Sequence, residues 1–195
     1  MDSNSNLILT CGNCGTKNRV PEKKTDGVAK CGKCRSILPE PGEGAAVEES
    51  LRLRCGKCYT KNRVPRGKLG KAPKCGKCGE LLSVKDILTG QPVLVSDTNF
   101  DESVLQSPLP VLMYSWAPWC SGCKTTTPII HDFAFDAKGK VRVGKLNVDT
   151  NPLLSSRFNI MSVPFLHIFD GGQMKDSLPG GMPKHQLMMK MAPYL

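Results

Sequence analysis

Apolar runs of strand length recur in the second half of the chain, separated by stretches with helical patterning. The runs are PVLVSD, LPVLMYSWA, KVRVGKLNV and VPFLHIFD. The helix candidates are NFDESVLQS, CKTTTPIIHDFAFDAKG, NPLLSSRF and MPKHQLMMKMAPYL. Strands that alternate with helices predict an α/β domain in which helices cover both faces of a sheet.

The first 90 residues lack this pattern and contain an internal repeat instead. Residues 11–38 align without a gap on residues 55–82, and 16 of the 28 positions are identical, including the block T-K-N-R-V-P. The segment between the copies, PEPGEGAAVEES, has the composition of a linker. We therefore expect a first module at 1–38, a flexible linker at 39–50, a second module at 51–84 and the α/β domain at 91–195, each folding separately.

All ten cysteines lie in CxxC pairs, and four of the five pairs lie in the repeat. A module of about 30 residues buries too little apolar surface to offset its conformational entropy. Two CxxC pairs, however, offer four thiolates to one tetrahedral ion. We predict two structural Zn²⁺ sites, formed by Cys11, Cys14, Cys31 and Cys34 and by Cys55, Cys58, Cys75 and Cys78. Iron in the same cage and a secreted disulfide scaffold are the alternatives.

The formal net charge of +10 is concentrated in the repeat. Residues 1–90 carry 18 Lys and Arg against 9 Asp and Glu, but a single aromatic residue, Tyr59. Without aromatic stacking platforms we expect a solvated basic surface and no sequence-specific nucleic-acid binding. No segment has the apolar length of a membrane span or a signal peptide, so we expect a cytoplasmic protein without membrane partners.

The fifth pair, Cys120 and Cys123, has no second CxxC near it in sequence to complete a metal site. The apolar strand VLMYSW precedes it, and a helix is predicted to begin at or just after Cys120. The unsatisfied N–H groups and the macrodipole at a helix N-terminus favour a thiolate. Cys120 is therefore expected to attack disulfides and Cys123 to resolve the mixed disulfide. The alternative is a pair of unreactive cysteines.

Residues 91–195 resemble the thioredoxin family through several motifs. WAPWCSGCK stands at the place of the family's redox motif, Pro128 at the kink of its active-site helix, Val163-Pro164 at its cis-proline pair, and KLNVDTNP and FDGGQM at a strand-turn and a hairpin. A zinc ribbon before such a domain resembles the bacterial zinc-binding thioredoxins of the thioredoxin 2 type. Those proteins carry one ribbon, whereas this chain carries two.

The resemblance implies a thioredoxin fold, with a mixed central sheet flanked by helices, preceded by two small zinc ribbons. It also implies a protein-disulfide reductase with a redox-active Cys120–Cys123 disulfide, in which Trp119 covers the dithiol and Pro164 faces it. Protein disulfides would be the substrates and a thioredoxin reductase the electron donor.

Two positions depart from the family pattern. Ser121-Gly122 replaces Gly-Pro, and Tyr114 replaces a buried carboxylate that is thought to relay a proton. The proton acceptor for Cys123 is therefore unassigned. Two other functions stay open: a zinc-ribbon adaptor that binds peptides with incidental redox activity, and a redox switch that releases zinc on oxidation.

Overall fold

The computed structural model describes residues 6–11, 13–14, 16–21, 29–38 and 50–195. The predicted linker lies outside these ranges apart from Ser50, which begins a strand. Each copy of the repeat is built on a two-stranded antiparallel sheet. The strands are β1 (Asn6–Thr10) and β2 (Lys17–Pro21) in the first copy, and β3 (Ser50–Arg54) and β4 (Lys61–Pro65) in the second.

In both copies the first CxxC pair forms the turn between the two strands. The Cys11 N–H donates to Thr16 O at 2.9 Å, and the Cys55 N–H donates to Thr60 O at 3.0 Å. The second pair forms a separate turn, closed by an isolated bridge in each copy. Two-stranded sheets of this length are marginal on their own, so a further cross-link is needed to hold each copy together.

The C-terminal domain contains a five-stranded mixed sheet in the order β5-β7-β6-β8-β9. Its strands are β5 (Val93–Val95), β6 (Val111–Trp116), β7 (Arg142–Asn147), β8 (Phe165–Asp170) and β9 (Gln173–Pro179). β5, β7 and β6 are parallel, whereas β8 and β9 form an antiparallel hairpin on the far side of β6. Central strands of such a sheet are covered on both faces, and five of the six residues of β6 are buried.

Helices cover both faces of this sheet, as the alternating pattern predicts. They are α1 (Ser121–Asp136), α2 (Pro152–Arg157) and α3 (Lys184–Met191), with a π-helical turn at Asp101–Leu105 and a 3-10 turn at Val148–Thr150. Ile130 and Phe133 of α1 and Leu187 of α3 pack on one face. Phe100 and Leu154 belong to the apolar cluster on the other face. In α3, Met191 is buried, whereas Met189 is 66% exposed, so not every methionine of this helix belongs to the core.

The second copy of the repeat packs directly against the C-terminal domain. Its apolar cluster includes Ile87 and Leu109, which lie beyond the repeat. Arg54 donates two hydrogen bonds to the Asp170 carboxylate, at 2.7 and 2.5 Å, and its backbone N–H donates to Pro108 O. Because Pro108 precedes β6 and Asp170 ends β8, this contact lies at the end of the sheet opposite Cys120. The sequence pattern did not predict this contact.

Each copy has its own sheet and its own apolar cluster. The first copy centres on Cys11, Cys31 and Leu38. Among the described residues, Arg66 Nη1 of the second copy donates a hydrogen bond to Asn13 O of the first copy at 3.3 Å.

Candidate functional site

The dithiol lies where the central strand β6 passes into the helix α1. Cys120 is the N-cap residue of α1, and the Cys123 N–H donates to Cys120 Sγ at 3.0 Å. A sulfur at this position receives an N–H that has no partner within the helix and lies at the positive end of the macrodipole. Both effects stabilise a thiolate on Cys120.

Cys120 and Cys123 are joined by a disulfide, with their Cα atoms 5.2 Å apart. Both side chains are largely covered, at 5% exposure for Cys120 and 2% for Cys123. Cys120 Sγ lies 3.4 Å from Val163 O, and the Val163–Pro164 peptide bond is cis. Opening the disulfide therefore leaves the sulfur of Cys120 beside the backbone of the cis Val163–Pro164 pair, with Cys123 more deeply covered.

Trp119 and Pro164 lie at this site, where the sequence places them. The Trp119 side chain is 70% exposed, and its Nε1–H donates to both carboxylate oxygens of Asp149 at 3.1 Å. An exposed indole fixed by such a bond presents a rigid apolar surface beside Cys120. Pro164 lies close to the first turn of α1. A Cβ added at Gly122 would lie 3.4 Å from Pro164 Cδ, which is van der Waals contact.

Tyr114 fills the interior behind Cys123 with a neutral group. Its side chain is fully buried, and its hydroxyl lies 3.2 Å from Cys123 O and 3.1 Å from Thr127 Oγ1. Burial raises the pKa of the phenol, so it stays protonated at neutral pH. Tyr114 therefore anchors the backbone of Cys123 but is a poor proton acceptor.

A cationic side chain that the sequence did not single out lies next to Tyr114. Lys145 pairs with Tyr114 across β6 and β7, and its Nζ lies 3.5 Å from His131 Nε2 and 5.0 Å from the centre of the Trp116 ring. Burial lowers the pKa of Lys145, and burial followed by the Lys145 charge lowers that of His131. His131 is thus half-buried on α1 and lies against Lys145.

The other eight cysteines form two clusters of four, as their spacing predicts. In each cluster all four Sγ atoms lie within 4.8 Å of one another. The individual Sγ–Sγ distances are 3.5 and 3.6 Å in the first copy and 3.6 and 3.7 Å in the second. A tetrahedral ion with Zn–S bonds of about 2.3 Å requires sulfurs about 3.8 Å apart. The residues therefore fit zinc in both copies.

The identical T-K-N-R-V-P block supplies polar groups that hold both clusters together. Asn18 Oδ1 accepts the Gly32 N–H and Asn62 Oδ1 accepts the Gly76 N–H, each at 2.9 Å. The amide of each asparagine also lies 3.6–3.7 Å from a cysteine sulfur, Cys31 or Cys75. Each asparagine therefore joins the first CxxC turn to the second. Motif spacing alone did not identify these residues, although their place in the repeated block was a signal.

Hydrogen bonds and burial act differently on the ligand thiols. A hydrogen bond with the Ser36 hydroxyl lowers the pKa of Cys34 to about 5, and one with the Thr60 hydroxyl lowers that of Cys58 to about 6. Burial raises the pKa of Cys11 to about 12. In each copy these hydrogen bonds favour the thiolate, which is the form in which a cysteine binds a cation.

Comparison with known proteins agrees with this arrangement. The sequence model of the family described as "Thioredoxin" matches residues 91–193, just over half of the chain. The chain belongs to the thioredoxin family. A second model, described as "Thioredoxin 2, N-terminal" and representing a zinc ribbon, matches residues 10–36 and 54–80. The two modules are thus two zinc ribbons, called below the first ribbon and the second ribbon, before a thioredoxin domain.

Curated thioredoxins resemble the thioredoxin domain. "Thioredoxin" of Synechocystis sp. (strain ATCC 27184 / PCC 6803 / Kazusa) is 46% identical over 101 residues, which cover 52% of this chain and 94% of that protein. "Thioredoxin" of Rickettsia felis is 44% identical over 94 residues, or 48% of this chain and 90% of that protein. "Thioredoxin M-type, chloroplastic" of Spinacia oleracea is 40% identical over 101 residues, or 52% of this chain and 56% of that protein.

The described residues contain no helix with the length and apolarity needed to cross a membrane.

Proposed function

We propose that the chain is a thiol–disulfide oxidoreductase that reduces protein disulfides through Cys120 and Cys123. The observation that carries this proposal is the dithiol itself, which caps α1 beside Val163 O and has an exposed indole next to it. The adjacent backbone and indole offer an extended substrate segment both polar and apolar contacts.

In the proposed reaction the Cys120 thiolate attacks one sulfur of a substrate disulfide. A bond forms between Cys120 Sγ and that sulfur, and the other substrate sulfur leaves as a thiolate. Cys123 then loses its proton and attacks Cys120 Sγ, which releases the second substrate thiolate and leaves the Cys120–Cys123 disulfide. The proton of Cys123 passes to water in this proposal, because Tyr114 stands in place of a carboxylate.

Two electrons must then return the disulfide to the dithiol. By its family resemblance we assign this step to a thioredoxin reductase. We also place the protein in the cytoplasm, since the eight ligand cysteines must stay reduced and a reducing compartment keeps them so.

We further propose that each ribbon holds one structural Zn²⁺ ion, through Cys11, Cys14, Cys31 and Cys34 and through Cys55, Cys58, Cys75 and Cys78. The sulfur distances and the ribbon family support zinc in both. A bound ion would supply cross-links to modules with small apolar clusters, and the redox chemistry would stay with Cys120 and Cys123.

Reduction of insulin disulfides tests the redox proposal. The zinc-loaded chain should reduce insulin with dithiothreitol as donor, and with NADPH and a thioredoxin reductase. Cys120→Ser should abolish both activities, because no other thiol occupies the N-cap. Cys123→Ser should instead trap a mixed disulfide with the substrate.

Binding of partner proteins by the Cys120→Ser variant distinguishes a reductase from an adaptor. If that variant abolishes insulin reduction, the redox proposal stands. If the wild-type chain fails to reduce insulin with dithiothreitol but still binds the same partners as the variant, the adaptor is the better description. Activity with dithiothreitol but not with the reductase would overturn only the assigned donor.

A further inference from the structure

A basic cleft lies at the junction between the second ribbon and the thioredoxin domain, far from the dithiol. Its volume is about 290 Å³, close to the lower end of ligand sites at about 300 Å³. Four cationic side chains and one carboxylate side chain line it: Arg52, Arg54 and Lys61 from the ribbon, and Lys140 and Asp170 from the thioredoxin domain. Pro108, Pro110 and Tyr194 form the less polar part of its wall.

The cationic side chains of β3 and β4 in the second ribbon lie next to one another. In the antiparallel sheet Arg52 is directly opposite Arg63, and Arg54 is directly opposite Lys61. Directly opposed residues share a face, and so do residues two apart on one strand, so all four side chains lie on the same face. Like charges in these positions destabilise a sheet. This face therefore gains stability from an anion.

The chain itself supplies only part of that negative charge. Arg54 is bound by Asp170, and Arg63 Nε donates to the Ser50 hydroxyl at 2.7 Å. Within the described part of the chain, the side chains of Arg52, Lys61 and Lys140 form no hydrogen bond or ion pair. Three cations on two walls of one cleft are thus left without a partner.

The first ribbon shows that a ribbon does not need this charge pattern. Ile8 lies opposite Arg19, and Thr10 lies opposite Lys17, at the positions that correspond to Arg52 opposite Arg63 and Arg54 opposite Lys61. No like-charge pair exists there, although the ligand cysteines and the T-K-N-R-V-P block are the same. In the second ribbon, Arg52 and Arg54 stand in place of Ile8 and Thr10, and both line the cleft beside the thioredoxin domain.

We propose that this cleft binds a small phosphate anion with two or more charged groups, such as a diphosphate. Guanidinium and ammonium groups that converge from two walls fit the oxygens of such an anion. The volume of the cleft suits a small molecule and not a folded partner. Among the described residues that line it, Tyr194 is the single aromatic one, so successive bases of a nucleic-acid strand have no row of stacking surfaces. This site is separate from the proposed redox function.

Titration calorimetry of the zinc-loaded full chain with inorganic pyrophosphate, at low salt and without added Mg²⁺, tests the proposal. We expect saturable binding with one site per chain. Arg52→Ile, which places the residue of the first ribbon in the second, should weaken binding about tenfold, as should Lys140→Gln on the other wall. Lys17→Gln removes the same charge from the first ribbon and should change the affinity by less than about twofold.

Thermal unfolding provides a second measurement that does not depend on calorimetry. Without anion, Arg52→Ile should melt higher than the wild type, because it removes a like-charge pair. Pyrophosphate should raise the melting temperature of the wild type and leave that of Arg52→Ile nearly unchanged.

Any of the following results would overturn the proposal. The first is the absence of saturable binding to the wild type. The second is an equal loss of affinity in Arg52→Ile and Lys17→Gln. The same conclusion would follow if the heat of the pyrophosphate titration persisted in Arg52→Ile and coincided with loss of zinc, because the heat would then come from removal of the metal. The third is a full effect of Arg52→Ile with none of Lys140→Gln, which would place the anion on the ribbon alone. Stronger competition by a single-stranded oligonucleotide than by free phosphate would indicate a nucleic-acid surface instead.

Discussion

The two ribbons share their internal residues and differ where they meet the rest of the molecule. Both use four cysteines and an asparagine that joins the two CxxC turns, Asn18 in the first and Asn62 in the second. The residues that dock the second ribbon differ between the copies. Arg54 corresponds to Thr10, and Tyr59 corresponds to Gly15.

Tyr59 shows how specific the docking surface is. Its ring lies over Gly172 in the hairpin between β8 and β9, so closely that a Cβ on that glycine would lie 2.7 Å from the Tyr59 hydroxyl. Gly172 also has φ of +77°, which disfavours any other residue there. Glycine at position 15 cannot make this contact. The residues that fold a ribbon are thus distinct from the residues that attach the second ribbon to the thioredoxin domain.

Removing one ligand from each ribbon should produce the largest difference between them. Wild type should hold two zinc ions per chain, and Cys11→Ser and Cys55→Ser should hold one each. Structural zinc contributes about 10–16 kcal/mol of apparent binding free energy in zinc-finger peptides, so the mutated ribbon should unfold. Only Cys55→Ser should also lower the melting temperature of the thioredoxin domain, since it exposes Ile87 and Leu109.

Elemental analysis and calorimetric melting measure these two effects. The loss of both ions from either variant would contradict independent sites. Equal melting temperatures of the thioredoxin domain in the two variants would contradict a stabilising contact with the second ribbon.

Breaking the docking contact without touching a ligand should have a smaller effect. Arg54→Thr gives the second ribbon the residue of the first and leaves Asp170 without its partner. Both side chains are largely removed from water, at 18% and 16% exposure, so the expected loss of unfolding free energy is about 3 kcal/mol. Urea unfolding of the zinc-loaded chain measures it.

The reciprocal change, Thr10→Arg, is the matched control. It should alter the unfolding free energy by no more than about 0.5 kcal/mol, because the first ribbon has no carboxylate at the equivalent contact within the described residues. If both variants destabilise the chain equally, the Arg54–Asp170 pair does not distinguish the ribbons.

Sequence reasoning succeeded wherever chemistry depends on local spacing. The CxxC pairs predicted both four-sulfur clusters, and a strand followed by WAPWC predicted that Cys120 lies at the start of a helix. Both features are set by residues close together in the chain. The match to the thioredoxin family then confirmed the α/β fold.

The same reasoning could not predict contacts between distant segments. Arg54 and Asp170 are 116 residues apart, and nothing in either local sequence indicates the other. The repeat and its linker composition favoured separate modules, whereas the second ribbon shares an apolar cluster with Leu109. Independent folding of a fragment beginning near Gln91 stays a prediction. Lys145 beside His131 was missed because the packing of α1 on β7 brings these two side chains together.

We expect acid to lower the unfolding free energy of the thioredoxin domain through His167, which lies outside both ribbons. His167 is 1% exposed among Phe158, Phe165 and Phe169, and burial lowers its pKa from 6.5 to about 4. The unfolded chain therefore binds the proton first as the pH falls below 6.5. Between pH 7 and pH 5 the unfolding free energy should fall by about 2 kcal/mol from this residue.

His167→Phe isolates this effect from the acid sensitivity of the zinc ligands. The variant keeps an aromatic ring and removes the titrating group, so its loss of stability over the same pH range should be about 2 kcal/mol smaller. Unfolding curves at pH 7 and pH 5, with zinc content measured at each, give the comparison. Parallel losses in both chains would show that His167 is protonated in the folded state near its ordinary pKa.

The smallest expected effect concerns the end of the sheet that the docked second ribbon does not reach. Gly122 lies in the first turn of α1, where its freedom allows the reduced dithiol more conformations than the disulfide. Gly122→Pro fixes φ and should favour the disulfide by about 0.4–1 kcal/mol, which lowers the reduction potential by about 10–20 mV. The substitution fits, because the N–H of residue 122 in the first turn has no partner within the helix and a Cβ there lies 3.4 Å from Pro164 Cδ, which is an ordinary contact.

Equilibration of the zinc-loaded chain with glutathione buffers measures the reduction potential. Gly122→Ala is the control, because alanine restricts the backbone less than proline and should shift the potential less. A potential that is unchanged or higher in Gly122→Pro would show that freedom at residue 122 does not favour the dithiol. A shift that also appeared in Arg54→Thr would show that the docked second ribbon influences the dithiol from the opposite end of the sheet.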